Sequence, residues 1–359
     1  MQSPIRTALH ATLSGKFLLS KPRLETMVCL LIAMVSGRTV NLTHAACHLP
    51  GETLHASRYR RLQRFFQHVR LDQDVVARLV IEMLNLYRPI PLALDRTNWR
   101  IGSKDINILV LAVVTRRFRV PLMWTLLAHQ GNSDTQQRIA LMQRYLALFG
   151  AASIKWLLAD REFVGSCWMN FLNENNIPFV IRVKESLHIV LENDKVVSLS
   201  TLCRNRRARR VVHSFEGRLP ETATPVRVAI KQLKTDEWLI VMSNRGDGKA
   251  ALNAYRKRWG IECLFGDAKT RGLNLEDTRI TDPGKLATLL GILALAISWA
   301  YRCATQSMGR RTIVRKTHGR REKSWFRVGL DALRNSLHTS CELALKAWSD
   351  VEPKRCFRA

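Results

Sequence analysis

The order of apolar patterns between Pro89 and Glu185 restricts the fold more than any other feature of the chain. IPLALD (90–95) and INILVLAVV (106–114) are apolar and β-branched over strand lengths, and RRFRVPLMWTLLA (116–128) continues as a further strand or two. DTQQRIALMQRYLALFG then shifts to a helical period, IKWLLAD (154–160) returns to a strand, CWMNFLNENN is helical, and IPFVIRV (177–183) is again a strand. Three strands in succession followed by helix, strand, helix, strand predict a mixed-sheet α/β domain.

The flanks differ in texture. Residues 1–88 alternate apolar and basic clusters at helical spacing, as in LETMVCLLIAMVSG, SRYRRLQRFFQHV and VVARLVIEMLNLY, with turn signals at Gly37 and Pro50-Gly51. They predict a small helical domain. Within it, LTHAACHLPG followed by a basic helix with Arg58, Arg60, Arg61 and Arg64 could form a helix-turn-helix, although a basic amphipathic helix is more often a solvated face. Residues 186–245 predict an antiparallel β-insertion from HIVLEN, KVVSL, RRVVHSF, PVRVAIKQL and EWLIVMSN, with a basic run holding Arg204, Arg206, Arg207, Arg209 and Arg210.

The second part of the α/β core spans 246–312. It opens with the helical pattern GKAALNAYRKRWGIECLFGDAKTRG and continues into LATLLGILALAISWAY (286–301), apolar apart from Thr288 and Ser298. That run falls short of the roughly 20 residues needed to span a bilayer, so a buried helix is expected and no membrane partner. Residues 313–359 form a basic helical region; the chain's richest basic stretch there, GRRTIVRKTHGRREKSWFR, begins at Gly309.

Charge narrows the partner. Lys and Arg number 57 against 29 Asp and Glu, a net +28, spread along the whole chain instead of gathered in one tail. Such a protein needs a polyanion, and dispersed basicity favours long nucleic acid over a membrane surface or an acidic protein. A 47% hydrophobic content over 359 residues supplies a substantial core. The eight cysteines lie far apart with no C-x-x-C pair, which argues for reduced thiols and against a zinc site or disulfide frame. The N-terminus lacks the order of a signal peptide, which argues against export and for a cytoplasmic protein.

Three carboxylates carry the chemistry. Asp95 and Asp160 each stand where an apolar strand pattern gives way to a polar turn, and strand ends of an α/β sheet line ligand crevices. Taken singly, each reads more readily as a turn or N-cap aspartate. On an uninterrupted helix at 100° per residue, Tyr255, Arg258, Glu262 and Lys269 project to about 0°, −60°, −20° and −40°, one narrow stripe. An ordinary solvated face would look the same, so the stripe matters only together with the two aspartates. Converging acids suit hard divalent cations, and two such ions activate a nucleophile and stabilise the leaving oxygen in phosphodiester cleavage.

Asp95 in LALDRTNW, Asp160 in LLADREFVG and the Y-x2-R-x3-E-x6-K pattern of Tyr255, Arg258, Glu262 and Lys269 resemble the bacterial insertion-sequence DDE transposases with the YREK signature, insertion-sequence family four. The resemblance runs from about residue 89 to 305. It implies an RNase H-like core interrupted by the β-insertion, with Asp95, Asp160 and Glu262 as ligands of two Mg²⁺ ions, for which Mn²⁺ substitutes. It further implies that Tyr255, Arg258 and Lys269 contact transposon-end DNA, and that Trp238 stacks on a flipped base, although a Trp in the small core of the insertion would look the same. The implied partners are the terminal inverted repeats, target DNA and a second copy of the chain in a synaptic homodimer, with DNA binding by the N-terminal region and dimer contacts by the C-terminal region. The implied activity is cut-and-paste transposition. A domesticated, non-catalytic DNA-binding protein and a metal-dependent nuclease on the same core are the alternatives.

Overall fold

The computed structural model describes residues 4–204, 211–317 and 319–349. Five helices open the chain: α1 (Pro4–Ser14), α2 (Lys21–Gly37), α3 (Leu42–Cys47), α4 (His55–His68) and α5 (Gln73–Leu84). Asn41 and Asp72 cap α3 and α5 through their side-chain oxygens. α3 and α4 pack as the expected helix pair. Two of the four arginines of α4 are tied inward: Arg58 donates to the Leu49 and Gly51 carbonyls at 3.2 and 2.8 Å, and Arg61 to Thr26 Oγ1 at 2.8 Å. Arg60 and Arg64 remain exposed.

The sheet begins with β1 (Ile90–Ile101), β2 (Lys104–Val114) and β3 (Arg119–Leu127), consecutive antiparallel hairpins. The stretch at 116–128 is thus a single strand. Gly102, at φ 60°, makes the tight turn between β1 and β2 that a side chain would strain. β3 is the sheet edge, which tolerates Pro121 where the β2 register shifts between Leu111 and Ala112.

The chain then alternates: α6 (Thr135–Phe149), opened by a capping box between Asp134 and Gln137, β4 (Ile154–Ala159), α7 (Ser166–Glu174) and β5 (Phe179–Arg182). β4 pairs in parallel with β1 on one side and β5 on the other. The order β3-β2-β1-β4-β5, antiparallel then parallel, is the RNase H-like arrangement that the resemblance implies.

The insertion supplies β6 (His188–Val190), β7 (Val196–Ser198), the short α8 (Leu199–Cys203), β8 (His213–Arg218), β9 (Pro225–Gln232) and β10 (Trp238–Ser243). Because β10 pairs antiparallel with β5, these strands extend the same sheet to ten. Arg206, Arg207, Arg209 and Arg210 lie outside the described residues.

After the insertion come α9 (Gly248–Tyr255) and α10 (Trp259–Ala268), separated by a 3₁₀ turn at Arg256–Arg258. α11 (Pro283–Met308), α12 (Trp325–His338) and α13 (Glu342–Ser349) complete the described residues. By length and hydropathy α11 could cross a membrane, but its apolar residues are buried inside the protein, as the sequence predicts. It packs against α2, α5, α12, α13 and β3. Trp299 Nε1 donates to the Ala344 carbonyl at 3.0 Å, while Arg302 donates to those of Ala347 and Met83 at 2.5 and 2.9 Å. Helices from both ends of the chain therefore share one buried cluster with the sheet.

Candidate active site

The parallel ladder between β1 and β4 ends at the pair Leu94 and Ala159. The next residue on each strand is an aspartate, so Asp95 and Asp160 emerge side by side at one level of the sheet. Only Asp160 ends its strand as expected; it caps the 3₁₀ turn Arg161–Phe163, accepting from the Arg161 N–H at 2.8 Å. Asp95 does not. β1 runs six residues further, to Ile101, because its antiparallel partner β2 continues after β4 has stopped, and Asp95 sits mid-strand opposite Val110.

The helical stripe is also corrected. The 3₁₀ turn breaks the α9–α10 run, and α10 ends at Ala268, leaving Lys269 outside the helix with φ −84° and ψ −131°. Tyr255, Arg258 and Glu262 nevertheless stay on the carboxylate side. The Arg258 guanidinium lies among all three acids, 3.1 Å from Asp95 Oδ2, 3.8 Å from Asp160 Oδ2 and hydrogen-bonded to Glu262 Oε1. Tyr255 donates its hydroxyl to Asp160 Oδ1 at 3.3 Å. Five residues drawn from β1, the end of β4 and the α9–α10 run thus meet at one point.

Lys269 and Trp238 stand apart from that point. Lys269 donates to the Asn98 carbonyl at 3.2 Å, pairs with Glu276 at 2.8 Å and lies 5.5 Å from the Trp99 ring centre, along the outer arm of β1. Trp238 begins β10 opposite Gln232, half-buried against the apolar core, toward the same end of the sheet as the acids.

Electrostatics set Asp95 apart from an ordinary carboxylate. Burial pushes its carboxyl up to about 6, against the lowering effect of the Arg96 N–H and of Arg258, with Glu162 and Asp160 adding repulsion. Burial likewise raises the Tyr255 phenol, keeping it a neutral hydrogen-bond donor. Arg258 loses solvation too, but Tyr255, Asp160, Asp95 and Glu262 more than compensate and hold it charged.

Sequence reasoning missed the pair that joins the two strands. Arg96, directly after Asp95, forks onto Glu162, two residues after Asp160, at 2.8 and 3.0 Å, and also reaches Asn107 and Asn132 at 3.1 and 2.9 Å. A bidentate, half-buried pair of this kind fixes the separation of the aspartate backbones. The opposite charges in LALDR and LADRE were its signal.

The donor set suits a divalent metal, since three carboxylates supply hard oxygens aimed at one cation position, now taken by a guanidinium. With Arg258 between them, the acids do not form a ready three-ligand cluster, and no such cluster occurs among the described residues. A metal held by these three acids would therefore require Arg258 to give way.

Comparison with known proteins adds one finding. The family model described as Transposase DDE domain matches residues 87–299, a span that contains Asp95, Asp160, Trp238, Tyr255, Arg258, Glu262 and Lys269. No curated protein matches the chain.

Proposed function

The chain belongs to the transposase DDE-domain family, and from that premise we propose that it is a cut-and-paste transposase of an insertion sequence, with Asp95, Asp160 and Glu262 as its catalytic carboxylates. The observation that carries this reading is the convergence of three acids, distant in sequence, on a single cation position. A DNA-binding protein without catalysis gains nothing from acids that face phosphate.

Asp95, Asp160 and Glu262 would hold two Mg²⁺ ions, or Mn²⁺ in their place. When bound, these supply charge neutralisation at the scissile phosphate, activation of a water or 3′-hydroxyl, and stabilisation of the leaving oxygen. The remaining residues bind and orient DNA. Arg258, on leaving the acids, can fork onto a backbone phosphate, which its planar donors match as well as they match a carboxylate. Tyr255 holds Asp160 through its hydroxyl and stays neutral beside it. Lys269 reaches phosphates along the outer arm of β1, and Trp238 offers an indole to an extruded base, a contact worth about 1–3 kcal/mol. Hydrolysis at each element end frees a 3′-hydroxyl, which then attacks target DNA at the same acids, with two copies of the chain holding the two terminal repeats.

The test uses a donor plasmid whose element ends flank the reading frame. Asp95→Ala, Asp160→Ala and Glu262→Ala should each reduce Mg²⁺-dependent excision to background while the protein still binds end DNA. Normal excision by any one of the three overturns the assignment.

A further inference from the structure

Two adjoining cavities, of about 720 and 500 Å³, meet beside the β2–β3 turn and share Arg116, Arg117, Arg315, Arg321 and Trp325. Neither is lined by Asp95, Asp160 or Glu262. The wider one borrows Arg256, Lys257 and Trp259 from the α9–α10 run, whose Tyr255 and Arg258 contact the acids instead. One helical passage therefore serves two places.

The composition of the groove is lopsided. Among the described residues Glu322 is its single acidic lining residue. Arg116, Arg256, Lys257, Arg310 and Arg321 are exposed and form no ion pair among the described residues. Arg321 is held below its ordinary pKa, by burial first and then by repulsion from Arg116, Arg315 and Arg119. The backbone that carries some of these cations is tied together. Residues 314–317 and 319–322 pair with each other through an Arg315–Arg321 bridge and a bond from Glu322 N–H to the Val314 carbonyl at 2.9 Å, and Arg117 stacks on Trp325 at 5.2 Å. Two of the large apolar side chains that the protein exposes, Trp259 at 62% and Val314 at 67%, stand on the groove walls.

Crowded guanidinium groups without acidic partners favour an anion with many charges at regular spacing, because one small anion cannot neutralise cations spread over two cavities. Duplex DNA carries about one charge per 1.7 Å of its axis. We propose that this arginine groove is a second DNA-binding surface, which takes the phosphate backbone of a duplex segment other than the one laid over the carboxylates. The proposal rests on the transposase reading in one respect, that DNA is the polyanion at hand.

The experiment measures duplex binding by the full chain as a function of salt. Removing one cation that neutralises a phosphate lowers the slope of log affinity against log salt by about 0.9, so Arg116→Ala/Arg310→Ala/Arg321→Ala should lower it by about 2–3. The corresponding triple Lys variant should keep the native slope, which separates charge from folding. Metal-dependent nicking at saturating DNA should be unchanged in both. An unchanged slope in the Ala variant overturns the proposal, as does weaker binding of single-stranded RNA or an acidic polypeptide with duplex binding intact. The two readings fail separately: a reduced slope alongside normal cleavage by Asp95→Ala would uphold the groove and overturn the catalytic acids.

Discussion

Burial pushes the Asp95 carboxyl up to about 6 from an ordinary 3.8, and that displacement contributes one proton to how the fold responds to acid. Between about pH 4 and 6 the unfolded chain has released the proton that the folded chain still holds. Stability therefore falls as pH rises through this window, and the penalty persists above it. Each such proton changes the stability by about 1.4 kcal/mol per pH unit. Asp267 behaves alike, buried with one carboxylate oxygen unpartnered and pushed up to about 6 by burial. In the absence of divalent ions, Asp95→Asn should remove one proton's worth of slope between pH 4 and 6 in urea unfolding, leaving the contribution of Asp267. An unaltered slope would mean that Asp95 titrates normally in the folded protein. If Asp95 holds Mg²⁺ as proposed, its proton competes with the metal, and Mg²⁺ affinity should weaken below pH 6.

At the scale of elements, Glu262 depends on how closely α10 lies on the sheet. Gly260, two residues earlier, faces β2 so tightly that an added Cβ would stand 3.1 and 3.2 Å from Cβ and Cγ1 of Val114. Gly260→Val should lift α10 and carry Glu262 away from the aspartates. Misplacement by about 1 Å can cost on the order of 100-fold in rate, so single-turnover cleavage should fall by about 10–100-fold while end-DNA affinity holds. Native cleavage in this variant would show that α10 tolerates the displacement. Much of this geometry was legible beforehand. IPLALD and IKWLLAD reveal strands through their apolar runs, and the apolar 286–301 run reveals a core helix. What the residues could not reveal was length set by a partner: β1 passes Asp95 because β2 is there to pair with it. Nor does any residue in YRKRWG announce the 3₁₀ turn, which tertiary packing imposes, so the ideal stripe overextended to Lys269. The arginine groove was visible only as basic composition, since it joins the β2–β3 turn to a loop some 200 residues later in the chain.

For the whole molecule the question is whether the helices at the two ends and the catalytic sheet melt as one body. α11 is the shared element. It touches β3 on one side and α2, α5, α12 and α13 on the others, and its Trp299 meets Trp348 of α13 edge to face at 5.4 Å, both rings fully buried. Removing the Trp348 ring leaves a cavity beside α11, a change that costs about 3–5 kcal/mol in well-packed cores. If the body is cooperative, Trp348→Ala should lower a single transition temperature by the same amount for helical circular dichroism and for retained metal-dependent cleavage, although Trp348 lies far along the chain from every acid. Two separated transitions, with cleavage surviving the disappearance of helical signal, would assign the terminal helices to an independent unit. A net charge of +28 works against any compact state through self-repulsion, and DNA relieves it. If DNA binds the folded chain across several elements, as proposed, saturating duplex should raise the transition of Trp348→Ala as well as that of the native protein, and added salt should diminish the gain.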